Sequence, residues 1–166
     1  LSRWQNRDKG LLTPAVFIEP LKSAGLIDKM DFYILEEACR QLEQWSLTDK
    51  EHLWMSCNFT RLTISRNDFA ERFKNVLSKY QFSHSCLIIE LTEDSLMNNT
   101  TVAYRNILEC KKMGCKIALD DLGSGYSSLQ DLCDYPIDII KIDRHIVSKS
   151  TTLKGNALLQ GLIELG

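Results

Sequence analysis

Residues 116–120 read KIALD, and a second aspartate, Asp121, follows directly. A short apolar run of this kind, bounded by polar residues, predicts a buried strand. Residues 100–113, just before it, are predicted to form a helix that ends at Gly114, a residue suited to a helix C-cap. Further along the chain, residues 138–143 read DIIKID and predict another strand. The centre of the chain is therefore a helix followed by two strands.

The same alternation extends in both directions from this unit. The remaining elements are predicted, in chain order, as a helix at 28–45, a strand at 52–58, a helix at 68–80 capped by Asp68, a strand at 86–90 that reads CLIIE, and helices at 127–133 and 156–165. Strands that alternate with helices and are apolar nearly throughout predict a parallel sheet covered by helices. Such a sheet is either doubly wound or part of a TIM-type barrel.

Composition limits the classes of function. Of 166 residues, 44% are hydrophobic and 25% are charged, as in an ordinary globular domain. A net charge of -2 makes polymeric nucleic acid a poor candidate partner. No apolar run of about 18 residues occurs, so we expect no membrane contact by this segment. The six cysteines form no CxxC pair, which argues against zinc. Several of them lie inside apolar runs, where a reduced cysteine behaves as a small apolar residue, so we expect a reduced protein in the cytoplasm.

A polar group stands at the end of each of the four predicted strands. In a parallel barrel the carboxyl ends of the strands converge on one face, which carries the active site. We therefore expect these polar side chains to meet in space, although they lie far apart in the sequence. They are Asn58, Glu90, Asp120, Asp121 and Lys141.

The chemistry of this set suits a hard cation. Three carboxylates and an amide are oxygen ligands, which Mg²⁺ and Mn²⁺ prefer. The adjacent Asp120 and Asp121 could serve two ions, and two ions can clamp both the attacking and the leaving oxygen of a phosphodiester. Lys141 could orient water or stabilise phosphoryl charge. Taken singly, each residue has a plain structural explanation: a helix cap, a turn or an edge-strand lysine. Four strands with the same terminal chemistry favour a site.

Five segments resemble the EAL domain family in the family's own order. ALDDLGSGYSSL, residues 118–129, resembles its DDFGTGYSSL segment, with Leu122 and Ser124 as mild replacements. The other four are FIEPLKSAGLI at 17–27, SCNFT at 56–60, IIELTE at 88–93 and IIKIDR at 139–144. The resemblance implies a TIM-type (β/α)8 barrel that hydrolyses the bacterial second messenger cyclic di-GMP to linear pGpG.

The resemblance also implies a role for particular residues. Asn58, Glu90 and Asp120 would bind one Mg²⁺ or Mn²⁺ ion, and Asp121 would bind a second, with Asp120 as a candidate bridge. Lys141 and Glu93 would serve catalysis, the first near the hydrolytic water and the second as a brace for the loop that follows Asp121. The remaining assignments are Arg3 as a substrate-phosphate contact, Asp143 and Thr92 as supports of the ligands, and Gly123, Ser124, Gly125 and Tyr126 as loop residues.

The two ends of the chain depart from the family pattern. The opening LSRW resembles the end of the Glu-Ala-Leu motif, so that the metal-binding glutamate would precede Leu1. A later EGVE-type segment, with a further catalytic glutamate, has no counterpart. From this pattern we expect an incomplete barrel over residues 1–166, without the start of the first strand and without the last strands. We also expect the chain by itself to be inactive, and its open edge to be covered by another chain or by rearranged terminal segments.

Three functions remain open at this point. The first is phosphodiesterase activity in the natural protein, with cyclic di-GMP as substrate, an attached sensory or GGDEF domain and self-association. The second is a non-catalytic EAL-like module that binds cyclic di-GMP or a protein partner. The third is an unrelated TIM-barrel enzyme. The acids retained at positions 90, 120 and 121 favour the first.

Overall fold

A four-stranded parallel sheet with helices packed on one face organises the chain. The structure, a computed structural model, describes residues 2–92, 101–122 and 135–164. In the described residues the strands are β1 Trp4–Asn6, β2 Gly10–Leu12, β3 Met55–Asn58, β4 Leu87–Thr92, β5 Lys116–Leu122 and β6 Ile139–Ile142. The helices are α1 Pro14–Ser23, α2 Ile27–Ser46, α3 Arg61–Ile64, α4 Phe69–Leu77, α5 Thr101–Lys112, α6 Arg144–Ser148 and α7 Leu153–Ile163.

The parallel sheet has the strand order β3-β4-β5-β6, so consecutive strands are neighbours. Because successive side chains of a strand point to opposite faces, each strand offers one face to the helices. Cys57 of β3 and Ile89 of β4 are buried in one core with Leu35 of α2, Phe73 of α4 and Ile107 of α5. Covering one face with helices is the arrangement of a barrel wall, whereas a doubly wound sheet has helices on both faces.

The long helices agree with the prediction. Helix α2 buries a stripe that includes Ile27, Leu35 and Leu42, and it extends the predicted range by one residue at each end. Helix α5 ends as expected at Gly114, which has φ +93°. The Gly114 and Cys115 amides donate to the Lys111 and Cys110 carbonyls, the bonding pattern of a Schellman motif. Of the helices in the described ranges, none combines the length and apolar character needed to cross a bilayer.

Some predicted boundaries differ from the structure. Strand β3 begins at Met55 rather than at residue 52, because Leu53 closes a turn onto the Lys50 carbonyl. Asp68 stands at the N-cap position of α4, but its carboxylate accepts from Arg66 instead of capping the helix. Helix α7 starts at Leu153, earlier than predicted, because the side chain of Thr152 caps it. The helix predicted at 127–133 lies outside the described residues.

The first residues do not join the parallel sheet. Trp4, expected to end a first barrel strand, pairs instead with Leu12 in a separate antiparallel hairpin of β1 and β2. The side chain of Asn6 closes the turn, since its Oδ1 accepts from the Asp8 and Lys9 amides. Gly10 then takes φ +71°, a conformation that favours glycine. Local turn chemistry explains the hairpin.

The five cysteines in the described residues are free thiols. Four of them are buried, and burial raises the pKa of Cys39 and of Cys115 to about 12. Such thiols stay protonated near neutral pH and behave as small apolar side chains. The sixth, Cys133, lies outside the described residues.

Candidate functional site

The face of the sheet that points away from the helices carries a row of polar side chains. Asn58, the last residue of β3, lies directly opposite Glu90 of β4 in the parallel register. On the next pair of strands, Thr92 lies opposite Asp120 of β5. Each of these residues follows a buried apolar neighbour on its own strand, so strand alternation turns it to the other face.

Four of the five predicted site residues are linked by hydrogen bonds and ion pairs. The Asn58 Nδ2 donates to the Glu90 Oε2 over 2.8 Å, and the Lys141 Nζ donates to the Glu90 Oε1 over 2.9 Å. The Lys141 Nζ also lies 2.9 Å from the Asp120 Oδ1. Glu90 is only 7% exposed, so both its oxygens receive a donor in a largely dry position. One ammonium thus bridges carboxylates that lie 30 residues apart in the sequence.

Two groups of the site have raised pKa values, each for its own reason. Burial by itself would lower the pKa of Lys141, but the hydrogen bonds to Glu90 and Asp120 outweigh it, and the pKa is raised. Partial burial raises the pKa of Asp121, and the neighbouring carboxylates of Asp120 and Asp143 raise it further, against the opposing effect of Lys141. A group of carboxylates this close together favours a cation.

A β-bulge places the two adjacent aspartates. Leu119 pairs with Ile140 and Leu122 with Ile142, so Asp120 and Asp121 together stand opposite the single residue between those partners. Asp121 takes φ +58° there, an uncommon conformation for a residue other than glycine. A bulge adds one residue to a strand and redirects its side chains, and bulges are enriched beside active sites. Spacing alone did not predict the bulge, although an Asp-Asp pair inside an apolar strand was a signal for it.

The other predicted residues divide into two groups. Asp143 lies at the start of α6, where its Oδ1 accepts from the His145 amide over 2.6 Å. Arg3 is exposed and donates to the Ser2 carbonyl over 2.9 Å, and Thr92 is exposed at the end of β4. The roles of these three residues stay predictions. Outside the described residues lie Glu93, Gly123, Ser124, Gly125 and Tyr126.

The donor set is compatible with a hard metal ion. The amide of Asn58 and the carboxylates of Glu90 and Asp120 are all oxygen ligands and lie around one point of the sheet. Within the described ranges, no three His, Cys, Asp or Glu side chains are placed so that they could hold a metal ion by themselves.

The comparison with known families identifies the domain. The family model described as EAL domain matches residues 1–166, the whole chain. The chain belongs to the EAL domain family. The resemblance seen in the sequence is therefore confirmed, and the third alternative, an unrelated barrel, is excluded.

Two curated relatives are named as phosphodiesterases. The cyclic di-GMP phosphodiesterase NbdA of Pseudomonas aeruginosa is 32% identical over 147 residues, which is 89% of this chain and 19% of NbdA. The cyclic di-GMP phosphodiesterase PdeR of Escherichia coli is 33% identical over 148 residues, 89% of this chain and 22% of PdeR. The chain thus spans about a fifth of the length of these relatives.

A solved EAL structure has the same fold. It is described as the PaMucR phosphodiesterase in a c-di-GMP complex, and it matches with a TM-score of 0.89 at 29% identity. The match covers 99% of this chain and 67% of that chain. MucR is a bifunctional diguanylate cyclase and cyclic di-GMP phosphodiesterase of Pseudomonas aeruginosa. The likeness confirms the partial TIM-type barrel.

Proposed function

We propose that this EAL domain hydrolyses one phosphodiester bond of cyclic di-GMP and yields linear pGpG. The observation that carries the proposal is the Lys141 ammonium held between Glu90 and Asp120, with the Asn58 amide on the other oxygen of Glu90. The named activities of NbdA and PdeR support it. The domain would act in bacterial second-messenger signalling.

EAL phosphodiesterases depend on a metal ion in general, and we propose Mg²⁺ or Mn²⁺ for this domain. Asn58, Glu90 and Asp120 would hold one ion, and Asp121 would hold a second that shares Asp120. Such ions, when bound, supply positive charge to the phosphoryl oxygens and a more acidic water. The raised pKa of Asp121 supports the assignment, because its crowding with Asp120 and Asp143 would be relieved by a cation.

Lys141 would have two functions at this site. Its hydrogen bonds to Glu90 and Asp120 fix the two carboxylates relative to each other. Its side chain is 42% exposed, so the ammonium also remains accessible to a phosphate or to the attacking water. A fixed positive charge next to a phosphoryl group stabilises the charge that develops in the transition state. Arg3 would contact the other substrate phosphate.

Chromatography of the reaction products tests the proposal. The natural gene product is incubated with cyclic di-GMP and either Mg²⁺ or Mn²⁺, and pGpG is quantified with and without EDTA. Metal-dependent formation of pGpG is the expected result. Binding of cyclic di-GMP without turnover, in either metal, would contradict hydrolysis and support the non-catalytic module instead.

The wider context of the domain also stays a proposal. The EAL relatives MucR and DosP are named as a bifunctional cyclase/phosphodiesterase and an oxygen sensor, which supports an attached GGDEF or sensory domain. A cytoplasmic location agrees with free thiols at the five described cysteines. Self-association is proposed from the family resemblance, and light scattering measures it directly.

A further inference from the structure

Helix α3 begins three residues after Asn58, and a buried acid holds its first turn. Asp31 of α2 is only 2% exposed. Its Oδ2 accepts from the Thr60 amide over 3.1 Å, from the Thr60 hydroxyl over 3.0 Å and from the Thr63 hydroxyl over 2.6 Å. Three donors on one carboxylate oxygen fix both the backbone and the side chains of this turn.

A second buried polar side chain holds the other end of α3. Asn106 of α5 is fully buried. Its Nδ2 donates to the Ile64 carbonyl over 2.7 Å and to the Arg66 carbonyl over 2.8 Å. These carbonyls lie at and just after the end of the helix, where helical partners are missing. Asp31 and Asn106, from two different helices, therefore bind the two ends of one four-residue helix by hydrogen bonds. We name this pair the α3 clamp.

Packing alone does not account for the clamp. Asp31 occupies a position in the buried stripe of α2, between Ile27 and Leu35, where an apolar residue would pack at no electrostatic cost. Burial raises the pKa of Asp31 despite its hydrogen bonds to Thr60 and Thr63, so the charged form is held at a cost in free energy. We explain this cost by the geometry that the hydrogen bonds of Asp31 impose on the first turn of α3.

The turn held by Asp31 directly follows the site residue Asn58 in the chain. The Phe59 amide donates to the Glu90 carbonyl over 3.0 Å, and Thr60, the first residue held by the clamp, follows immediately. Phe59 itself is 3% exposed and packs against Phe32 with ring centroids 5.9 Å apart. Residues 58–60 are thus fixed by the sheet on one side and by the clamp on the other. The side chain that this segment directs into the site is the Asn58 amide, which donates to Glu90.

We propose that Asp31 and Asn106 are positioning residues for Asn58. By fixing α3, they hold the Asn58 amide in register with Glu90 and so set the affinity of the site for its metal ion. This inference rests on the proposed role of Asn58 as a metal ligand. Residues that orient metal ligands from behind typically change metal affinity by about 10–100-fold when they are altered.

Two measurements on the natural gene product test the clamp. The first is the side-chain amide resonance of Asn58 in ¹H–¹⁵N spectra, assigned by its loss in Asn58→Ala. The second is the affinity for Mn²⁺ by calorimetry. Thr63→Val removes one donor to Asp31 without changing the shape of the side chain, and Asn106→Leu removes both bonds to the Ile64 and Arg66 carbonyls.

We expect both variants to shift the Asn58 resonance and to weaken Mn²⁺ binding about 10-fold or more. Thr63→Ser, which keeps the hydroxyl, should leave both the Asn58 resonance and the Mn²⁺ affinity at their wild-type values. Ile107→Val is the matched control, because it trims a buried side chain next to Asn106 without removing a hydrogen bond, and it should change neither. Urea unfolding checks that each protein is folded, and Thr63→Val alone suffices if Asn106→Leu does not fold.

The two readouts separate the clamp from the proposed function. An Asn58 resonance that does not move in folded Thr63→Val and Asn106→Leu overturns the clamp. A resonance that moves while Mn²⁺ affinity stays unchanged in these variants and in Asn58→Ala overturns the metal role of Asn58, and the effect of the clamp on metal affinity with it. Equal effects in Ile107→Val would show a loss of stability rather than of positioning.

Discussion

Replacement of Lys141 by methionine removes an ammonium that joins Glu90 to Asp120 and keeps most of the side-chain volume. The Nζ makes two contacts of 2.9 Å. Each is worth about 1.4 kcal/mol at the dielectric constant of water and about 6 kcal/mol at an effective value near 20. Because the lysine side chain is 42% exposed, solvent screens the pair and the lower figure is the better guide. After the desolvation cost, we expect Lys141→Met to lower the free energy of unfolding by about 1–2 kcal/mol.

The effect on catalysis should be much larger than this loss of stability explains. Removing one preorganised electrostatic contact to a transition state typically lowers kcat by about 10²–10³-fold. A domain stabilised by about 5–15 kcal/mol remains almost wholly folded after losing about 1–2 kcal/mol. In the natural gene product, we therefore expect Lys141→Met to retain its unfolding transition in urea and to produce pGpG at least about 100-fold more slowly at saturating cyclic di-GMP.

Lys116→Met is the matched control. Lys116 begins β5, the strand next to Lys141, at the opposite end of the sheet, and its Nζ lies 4.1 Å from the Trp54 ring centroid. Loss of this cation–π contact should cost about 0.5–1 kcal/mol. Its kcat should stay near that of the wild type. The reasoning is refuted if Lys141→Met retains kcat within a few-fold, or if the two lysine variants lose activity equally.

Three further results are expected. Asp120→Asn, which removes a charge but little volume, should lower turnover of cyclic di-GMP in the natural gene product by orders of magnitude. Its circular dichroism spectrum should stay unchanged. Turnover within a few-fold of wild type would contradict the metal role of Asp120. Burial acts to raise the pKa of Asp28, but the hydrogen bond from Arg72 and the other partners outweigh it and lower this pKa below its usual value of 3.8. The stabilisation by the charged Asp28 is therefore present above that value and is lost as pH falls through the lower folded pKa. Urea unfolding of Asp28→Asn should show a stability deficit at pH 7 that shrinks below about pH 4. Gly114→Ala should destabilise the domain by about 1–2 kcal/mol, because Gly114 has φ +93°. Gly161→Ala, inside α7 with open space around its Cα, should be neutral or stabilising by up to about 1 kcal/mol. Equal melting temperatures for the two variants would contradict this.

Much of the fold could be read from local patterns. Apolar runs at 86–90 and 116–120, separated by a helix that ends at Gly114, correspond to β4, α5 and β5. Period and capping are properties of neighbouring residues, so the sequence carries them directly. The family segment around Asp120 and Asp121 and the chemistry of the acids were visible in the same way.

Short elements that depend on a few hydrogen bonds were harder to predict. The hairpin at Trp4 depends on one Asn6 side chain and on the φ of Gly10. Helix α3 is four residues long, and its stability comes from Asp31 and Asn106, which are distant in sequence. Segments this short carry no period that pattern reasoning could detect.

The sequence by itself determined the long helices, the four strands of the parallel sheet and the polar residues at the ends of those strands. Only the tertiary structure decided that Lys141 reaches both Glu90 and Asp120, that a bulge places Asp120 and Asp121 opposite a single residue of β6, and that Asp31 is buried. These features follow from strand register and helix packing, which sum over contacts between residues 20 or more positions apart. A one-residue change of register would turn the polar row toward the helices, and nothing in the local pattern near Lys141 records which partner it will meet.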